Sequence, residues 1–323
     1  MNPWKQNKPL MLLAPMYDVT DTVFRQIIAK YSRPHAFFTE FVSVEGLASV
    51  AGHQLEQLLW FEPDIERPII AQLFGTTPEL FERAAARVAE LGFDGVDINM
   101  GCPDRSILKQ GSCSALIDTP ELAKEIITAT KQGAGDLPVS IKTRIGTKRI
   151  VTEKWITTLL DAKPVAITVH GRTAKEMSKV PCHWDEISKA LACAKGSGVL
   201  IIGNGDVVDI ADAKEKVATY GVDGVMLGRA VFGNPWLFSG YEPTVQERLR
   251  VCILHTFLFE KYFGNGSSFL KEHAWPTKNF AVMKKHFKAY VHGFDGAREL
   301  RVKLMYTQEA REVEELIEEY LGI

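Results

Sequence analysis

The sequence predicts an α/β fold: a (β/α)8 TIM barrel over residues 1–243, followed by a small C-terminal helical domain over 244–323. Three observations carry this expectation. Short apolar runs alternate with amphipathic segments eight times, the pattern of parallel strands covered by helices. The eight units occupy roughly 240 residues, and a barrel of this kind takes about 250. After Phe238–Pro243 no further strand run occurs and only helical periodicity remains. A doubly wound open sheet is the rival. It would need fewer strands, and no G-x-G-x-x-G follows a strand.

The elements follow in order. Leu10–Met16 is the first strand, ended by Pro15-Met16. Tyr17–Asp21 is a turn, and Asp21 suits the N-cap of a helix to Lys30. Ala36–Phe41 is the second strand, and a glycine-interrupted helix follows over Val44–Val50. Pro68–Phe74 is the third, ended by Gly75. Thr77-Pro78-Glu79 opens a helix to Leu91, with a proline in the first turn and an acid at the positive end of the dipole. Gly95–Met100 is the fourth strand and breaks sharply at Gly101-Cys102-Pro103. Thr119-Pro120-Glu121 repeats the opening signal for a helix to Lys131. Val139–Ile145 pairs with a helix over Thr152–Asp161, and Ala166–Arg172 with one over Trp184–Lys195. Val199–Asp206 pairs with Ile210–Tyr220, and Gly224–Arg229 with a helix starting near Ala230. The tail reads as helices over Gln246–Phe263, Phe280–Tyr290, Ala297–Met305 and Glu309–Tyr320.

Bulk properties narrow the class. With 46% hydrophobic and 24% charged residues the chain is ordinary globular protein. A net charge of −2 gives no global signal for a polyanion, so a nucleic-acid surface has to be local. The five cysteines are scattered without a CxxC pair, which suggests neither a zinc site nor a disulfide framework, and no His/Asp/Glu cluster has metal-ligand spacing. A reducing, cytoplasmic setting fits. No signal peptide and no membrane span are expected, and a monomer is.

Barrel active sites are built at the C-terminal ends of the strands, and here those ends are polar. They carry Pro15-Met16, Gln72, Asn99 with Cys102, Lys142 with Arg144, His170 with Arg172, Asn204-Gly205-Asp206 and Gly228-Arg229. Each has a bland reading alone: a strand amide for Gln72, a salt-bridged lysine for Lys142, a core histidine for His170. Together they converge on one mouth. Glycines after strands seven and eight open backbone N–H groups where barrels bind phosphate, and Arg229 can grip a phosphate with two nitrogens. Flavin mononucleotide (FMN) fits this layout. Its phosphate would lie at strands seven and eight, Gln72 would hold the ring edge, and Lys142 would face the edge where charge builds on reduction. Cys102 has two candidate roles. Its thiol, mostly protonated at neutral pH, could donate a proton opposite a hydride donor. As a nucleophile it would need a base, for which His170 is the candidate.

These residues resemble the tRNA-dihydrouridine synthases. The resemblance rests on Ala14-Pro15-Met16 with Asp18–Asp21, Ala71–Gly75, Asp97–Pro103, Lys142–Arg144, His170–Arg172, Asn204–Asp206 and Gly228-Arg229, in the family's order, and Phe280–Lys303 is similar to its helical tail. It implies FMN as cofactor, NADPH as reductant, and reduction of the C5–C6 double bond of a tRNA uridine to dihydrouridine. By position, Pro15, Met16, Gln72, Lys142, Asn204, Gly205, Asp206, Gly228 and Arg229 would bind FMN. His170 would contact the flavin, and Tyr17 would shape the ring's environment. Cys102 would protonate C5 while flavin N5 gives hydride to C6. Asn99 and Arg172 would neighbour the flipped base. Two residues depart from the family: Tyr17 replaces a small residue and Cys113 a glycine. Cys113, a second thiol on the active-site loop, reads either as a redox liability or, the favoured reading, as a small residue that fits.

The tail supplies the local positive charge. From Lys271 to Tyr306 eight cations stand against three acids, with Trp275, Phe280, Phe287 and Tyr290 interleaved. Lys284, Lys285 and Lys288 are the candidate contacts to tRNA phosphates, although the same three would serve as an ordinary solvated helix face. The nearest rival function is an FMN barrel acting on a free pyrimidine or an enone, which has no use for a basic tail. A flavin-free aldolase or isomerase with Lys142 as Schiff-base amine would leave Gln72 and Cys102 unexplained. A non-catalytic RNA-binding barrel would tolerate loss of Cys102.

Overall fold

Nine parallel strand segments build one sheet in the computed structural model, which describes residues 2–323. They are β1 (Leu10–Leu13), β2 (Phe37–Phe38), β3 (Val42–Ser43), β4 (Ile69–Phe74), β5 (Gly95–Met100), β6 (Val139–Arg144), β7 (Ala166–His170), β8 (Leu200–Asn204) and β9 (Gly224–Leu227). The order is β1-β9-β8-β7-β6-β5-β4-β2, with β3 beside the later part of β4. β2 and β3 are therefore two halves of one position, and nine segments fill eight places. The ring closes between Leu12 and Ala36, where Leu13 N–H donates to the Ala36 carbonyl at 3.2 Å.

Side chains alternate along each strand between the barrel interior and the helical layer. On β6 Val139 and Ile141 pack outward, so Ser140, Lys142 and Arg144 fall on the other face. The interior is apolar at its base, around Trp4, Leu10, Leu12, Phe38, Ile70 and Met226. Above that lies a buried polar layer of Gln72, Asp97, Ser140 and Thr168.

The helices over the barrel are α1 (Thr22–Tyr31), α2 (Val44–Leu47), α3 (Gly52–Leu55), α4 (Pro78–Glu90), α5 (Arg105–Lys109), α6 (Pro120–Ala134), α7 (Thr152–Asp161), α8 (Trp184–Ala194) and α9 (Ile210–Tyr220). Asp21 caps α1 as expected, accepting from Phe24 N–H at 3.0 Å. The expected helix near Ala230 does not form. Residues there make two short 3-10 turns, Arg229–Val231 and Leu237–Ser239. The run is broken at Gly233, which has φ +70° and lies so close to the Ala289 carbonyl that a Cβ would sit 2.0 Å away. The tail comprises α10 (Val245–Phe263), α11 (Ser268–His273), α12 (Met283–Tyr290), α13 (Ala297–Leu304) and α14 (Ala310–Leu321). A capping box between Thr244 and Glu247 starts α10. α5 and α11 are short helices that the sequence pattern does not announce. α10 packs against α1, and the tail's apolar cluster takes in Val23 and Ile27 of α1 together with Trp236.

Candidate active site

The strand ends enclose a cavity of about 600 Å³ at the mouth of the barrel. Alternation brings Lys142, His170, Asn204 and Met226 into its wall from β6, β7, β8 and β9. Pro15 and Met16 enter from the loop after β1. The loops after β8 and β9 add Gly205 and Asp206, then Gly228 and Arg229. All of these but Met226 were expected at this mouth, and the volume is that of an ordinary small-molecule site.

The cavity is electropositive. Lys142 makes no hydrogen bond or ion pair among the described residues, and burial followed by the nearby Arg144 charge lowers its ammonium pKa to about 8. Burial pulls His170 far below the usual imidazole range, reinforced by Arg144, Lys142, Arg172 and Arg229. His170 is thus neutral, a hydrogen-bonding group and not a cation. Arg172 Nη1 lies 3.2 Å from its Nε2, so Nε2 accepts and the ring proton sits on Nδ1. Asp206 holds two guanidiniums, Arg172 and, at 3.0 Å, Arg229. Arg229 remains 70% exposed, with the rest of its fork free. Gly205 has φ +122°, and a Cβ there would strike Cys182 Sγ at 2.6 Å and the His170 ring at 2.9 Å. At Gly228 a Cβ would meet protein only at 3.5 Å, so glycine there keeps cavity space open.

Cys102 stands on the turn after β5. In the strand register Asn99 lies opposite Lys142, which places this turn beside the lysine's strand. A chain of side chains sets the turn. Ser140 Oγ donates to Asp97 at 2.6 Å, Gln72 Nε2 donates to the other Asp97 oxygen at 2.7 Å, and Asn99 Nδ2 donates to Gln72 Oε1 at 3.1 Å. Asn99 Oδ1 then accepts from the N–H groups of Gly101 and Cys102, each at 3.0 Å. Arg144 donates to the Gly101 carbonyl at 2.8 Å from beneath. The nearby Cys113 thiol lowers the Cys102 pKa to about 7 against the opposing effect of burial; the Asp104 N–H also contributes. Burial raises Asp97 to about 6 despite its two donors.

A family model, dihydrouridine synthase (Dus), matches residues 12–321. The chain belongs to the dihydrouridine synthase family. A probable tRNA-dihydrouridine synthase of Staphylococcus aureus (strain MRSA252) is 40% identical over 97% of this chain and 93% of its own length. One from Staphylococcus epidermidis (strain ATCC 35984) is 40% identical over 97% and 94%. The probable tRNA-dihydrouridine synthase 2 of Bacillus subtilis (strain 168) is 39% identical over 99% and 96%. Among solved structures, a variant of NCR from Zymomonas mobilis covers 70% of this chain and 83% of its own at a TM-score of 0.48 and 18% identity, too distant to bear on function.

Within this dihydrouridine synthase the remaining expected residues divide. Gln72 and Asn99 are buried in the chain beneath Cys102. Arg172 is 2% exposed, held by the Val180 carbonyl, His170 and Asp206, so it faces no open space. Tyr17 is 64% exposed, its ring 5.5 Å from Phe41, and it does not line the cavity. Lys288 is exposed and Lys284 half-buried on α12. Lys285 instead closes on Asp18, Nζ to carboxylate 2.6 Å. Sequence reasoning passed over Asp97, whose signal was a lone carboxylate in an apolar strand. It also passed over Glu40 and Lys278. Glu40 is buried and accepts from Asp18 N–H, while Lys278 lies 3.5 Å from Glu40 and 3.4 Å from Asp21.

Proposed function

We propose that the protein reduces the C5–C6 double bond of specific uridines in tRNA to 5,6-dihydrouridine, with FMN bound in the mouth and NADPH as reductant. The observation that carries this reading is Lys142 in the cavity wall, with no hydrogen bond or ion pair of its own, on the strand that pairs with β5 and its Cys102 turn. The residues fit FMN. A partly covered cation that makes no direct ion pair suits an electron-rich ligand, Gly228 leaves room for one, and Arg229 has free donors for a phosphate.

In this reading Pro15, Met16, Asn204, Gly205, Gly228 and Arg229 hold the cofactor, and Asp206 aims Arg229. Bound FMN supplies the hydride for C6. Lys142 offers positive charge and neutral His170 a fixed hydrogen-bonding edge. Gln72 and Asn99 fix the turn, and Arg172 fixes His170 and Asp206. Tyr17, next in the chain to Met16 of the cavity wall, would shape the ring's environment. Cys102 gives its proton to C5 and is left as thiolate; a thiol with a pKa near the operating pH suits that transfer. A uridine stacked in folded tRNA has to be extruded to reach the mouth, and the basic tail supplies phosphate contacts through Lys284 and Lys288. The protein works as a cytoplasmic monomer. Among the described residues no helix is long and apolar enough to cross a membrane, and no cluster of metal-ligating groups occurs.

The test is dihydrouridine mapping in a host whose own dihydrouridine synthases are deleted. The native chain should install dihydrouridine at a defined tRNA position, and Cys102→Ala should lose or greatly reduce it. A yellow, FMN-loaded protein that leaves every tRNA unmodified would move the reading to a free pyrimidine or enone.

A further inference from the structure

A second cavity, of about 860 Å³, opens on the same face of the barrel and shares no wall residue with the mouth. Loops after β5, β6 and β7 enclose it, and Pro103, the residue after Cys102, is part of its wall. The loops are fixed to one another. Ala174 N–H donates to the Gly146 carbonyl and Lys175 N–H to the Thr147 carbonyl, both at 2.9 Å. Thr147 Oγ1 donates to Asp118 at 3.0 Å. Buried Arg144 donates to the Gly101 carbonyl at 2.8 Å and to the Met177 carbonyl at 3.0 Å, which ties the loop after β7 to the Cys102 turn. Four cations line the cavity: Arg105, Lys148, Lys175 and Lys179. None of their side chains makes a hydrogen bond or ion pair among the described residues. The two acids of the wall are engaged elsewhere, Asp118 by Thr147 and Asp104 by the Ser106 N–H at 2.8 Å and hydroxyl at 2.5 Å. Leu108, Ala115, Ala174 and Met177 supply apolar wall.

We propose that this cavity binds the adenosine phosphate end of the dinucleotide reductant, the four cations receiving its phosphates and the apolar wall its adenine. The inference rests on the proposed flavin reaction, which needs a reductant at the same mouth. Charge sets the ligand class. Four cations without counter-ions round one cavity suit a ligand that concentrates negative charge. NADPH carries a pyrophosphate and a 2′-phosphate monoester, about four negative charges in one molecule. A single RNA strand carries one per nucleotide, so a stretch short enough to enter the cavity brings fewer charges than the wall can match. Size agrees: the volume is that of a small-molecule site, and the mouth itself is given to FMN in the proposed reading. Position agrees too. In the closed ring β6 and β7 stand across the barrel from β1 and β2. The tail docks on the side of β1 and β2, through Lys285 on Asp18, Lys278 on Asp21, and Trp275 Nε1 on the His53 carbonyl at 3.0 Å. The cavity's cations therefore form a basic site separate from the tail. Anchored here, the dinucleotide adjoins the Cys102 turn, and its nicotinamide half extends to the mouth.

The experiment compares FMN-loaded native protein with two variants, Lys175→Ala/Lys179→Ala and Arg105→Ala/Lys148→Ala, whose four positions are exposed. The first readout is isothermal titration with 2′,5′-ADP, the phosphate-bearing end alone, which reads the site without turnover. The native protein should bind it, and each variant should lose about ten-fold in affinity. The second is anaerobic stopped-flow reduction of the bound FMN by NADPH, where the apparent Kd should rise by a similar factor with the limiting rate unchanged. Affinity for tRNA, by fluorescence anisotropy, should stay at the native level in both variants. Failure of the native protein to bind 2′,5′-ADP overturns the proposal, and so does native affinity for it in both folded, FMN-loaded variants. A loss confined to tRNA affinity also overturns it and assigns the cavity to the RNA backbone. Absence of dihydrouridine formation by the native protein would instead count against the proposed function, and the 2′,5′-ADP titration would still decide what this cavity binds.

Discussion

Lys285 of α12 reaches back to Asp18 in the loop behind β1, its Nζ 2.6 Å from the carboxylate and also donating to the Asp18 carbonyl. The same loop presents Met16 to the cavity, and Asp18 holds φ +58° while its N–H donates to buried Glu40. Lys285 therefore braces the loop that brings Met16 to the cavity. Asp18→Asn and Lys285→Ala should each weaken FMN binding, and the double variant should be no worse than either single one. The pair is partly exposed and is worth at most about 1 kcal/mol, or roughly five-fold in affinity. FMN titration of the apoprotein checks this. An undiminished affinity in both variants would return Lys285 to the RNA surface.

The phosphate contacts on α12 then fall to Lys284 and Lys288. The double variant Lys284→Glu/Lys288→Glu should weaken tRNA binding across all sequences and flatten its salt dependence by about one to two counterions. FMN content should stay at the native level. Fluorescence anisotropy over a salt series measures both slope and affinity, and an unchanged slope would remove α12 from the RNA interface.

Lys142 should impose a pH limit on cofactor binding. Its folded pKa is lowered to about 8, so its charge is present below that value and fades as pH rises through it. FMN affinity should fall over the same range. Lys142→Met should bind FMN more weakly at neutral pH and lose the pH dependence. Flavin fluorescence on release reports both. A native affinity that stays flat through this range would exclude a charge role for Lys142.

Cofactor binding leaves one buried charge pair unused. Arg25 and Glu66 are both fully buried, Nε to carboxylate 2.5 Å, with Arg25 also donating to the Thr20 and Trp60 carbonyls at 2.6 Å. Glu66→Ala would strand the guanidinium and should cost about 3–5 kcal/mol of stability. Chemical denaturation of the holoprotein measures it. A loss under about 1 kcal/mol would show that water enters and solvates Arg25.

Much of this site was legible in the sequence because strand ends announce themselves. Glycine or proline stops the run, and the alternation before the stop fixes which side chains face inward. That logic found Lys142, His170, Asn204 and Gly228 without knowledge of any contact. It could not foresee that Arg172 would be enclosed, since its carbonyl partner comes from a loop that follows no periodic pattern. Nor could it see Lys285 on Asp18, two groups at opposite ends of the chain. The missing helix near Ala230 has the same origin: Gly233 yields to the close approach of a distant carbonyl.

That absence reaches further. With only short turns after β9, Val23 and Ile27 of α1 are buried by α10 and its neighbours. Cutting the chain at 243 would uncover a greasy seam on the catalytic half, so the tail is a wall of the barrel besides its proposed contact with RNA. Grafting a foreign tail to redirect the enzyme to another uridine would then fail at the seam unless α1 were redesigned with it. Retargeting within this scaffold has to come from surface side chains changed in place.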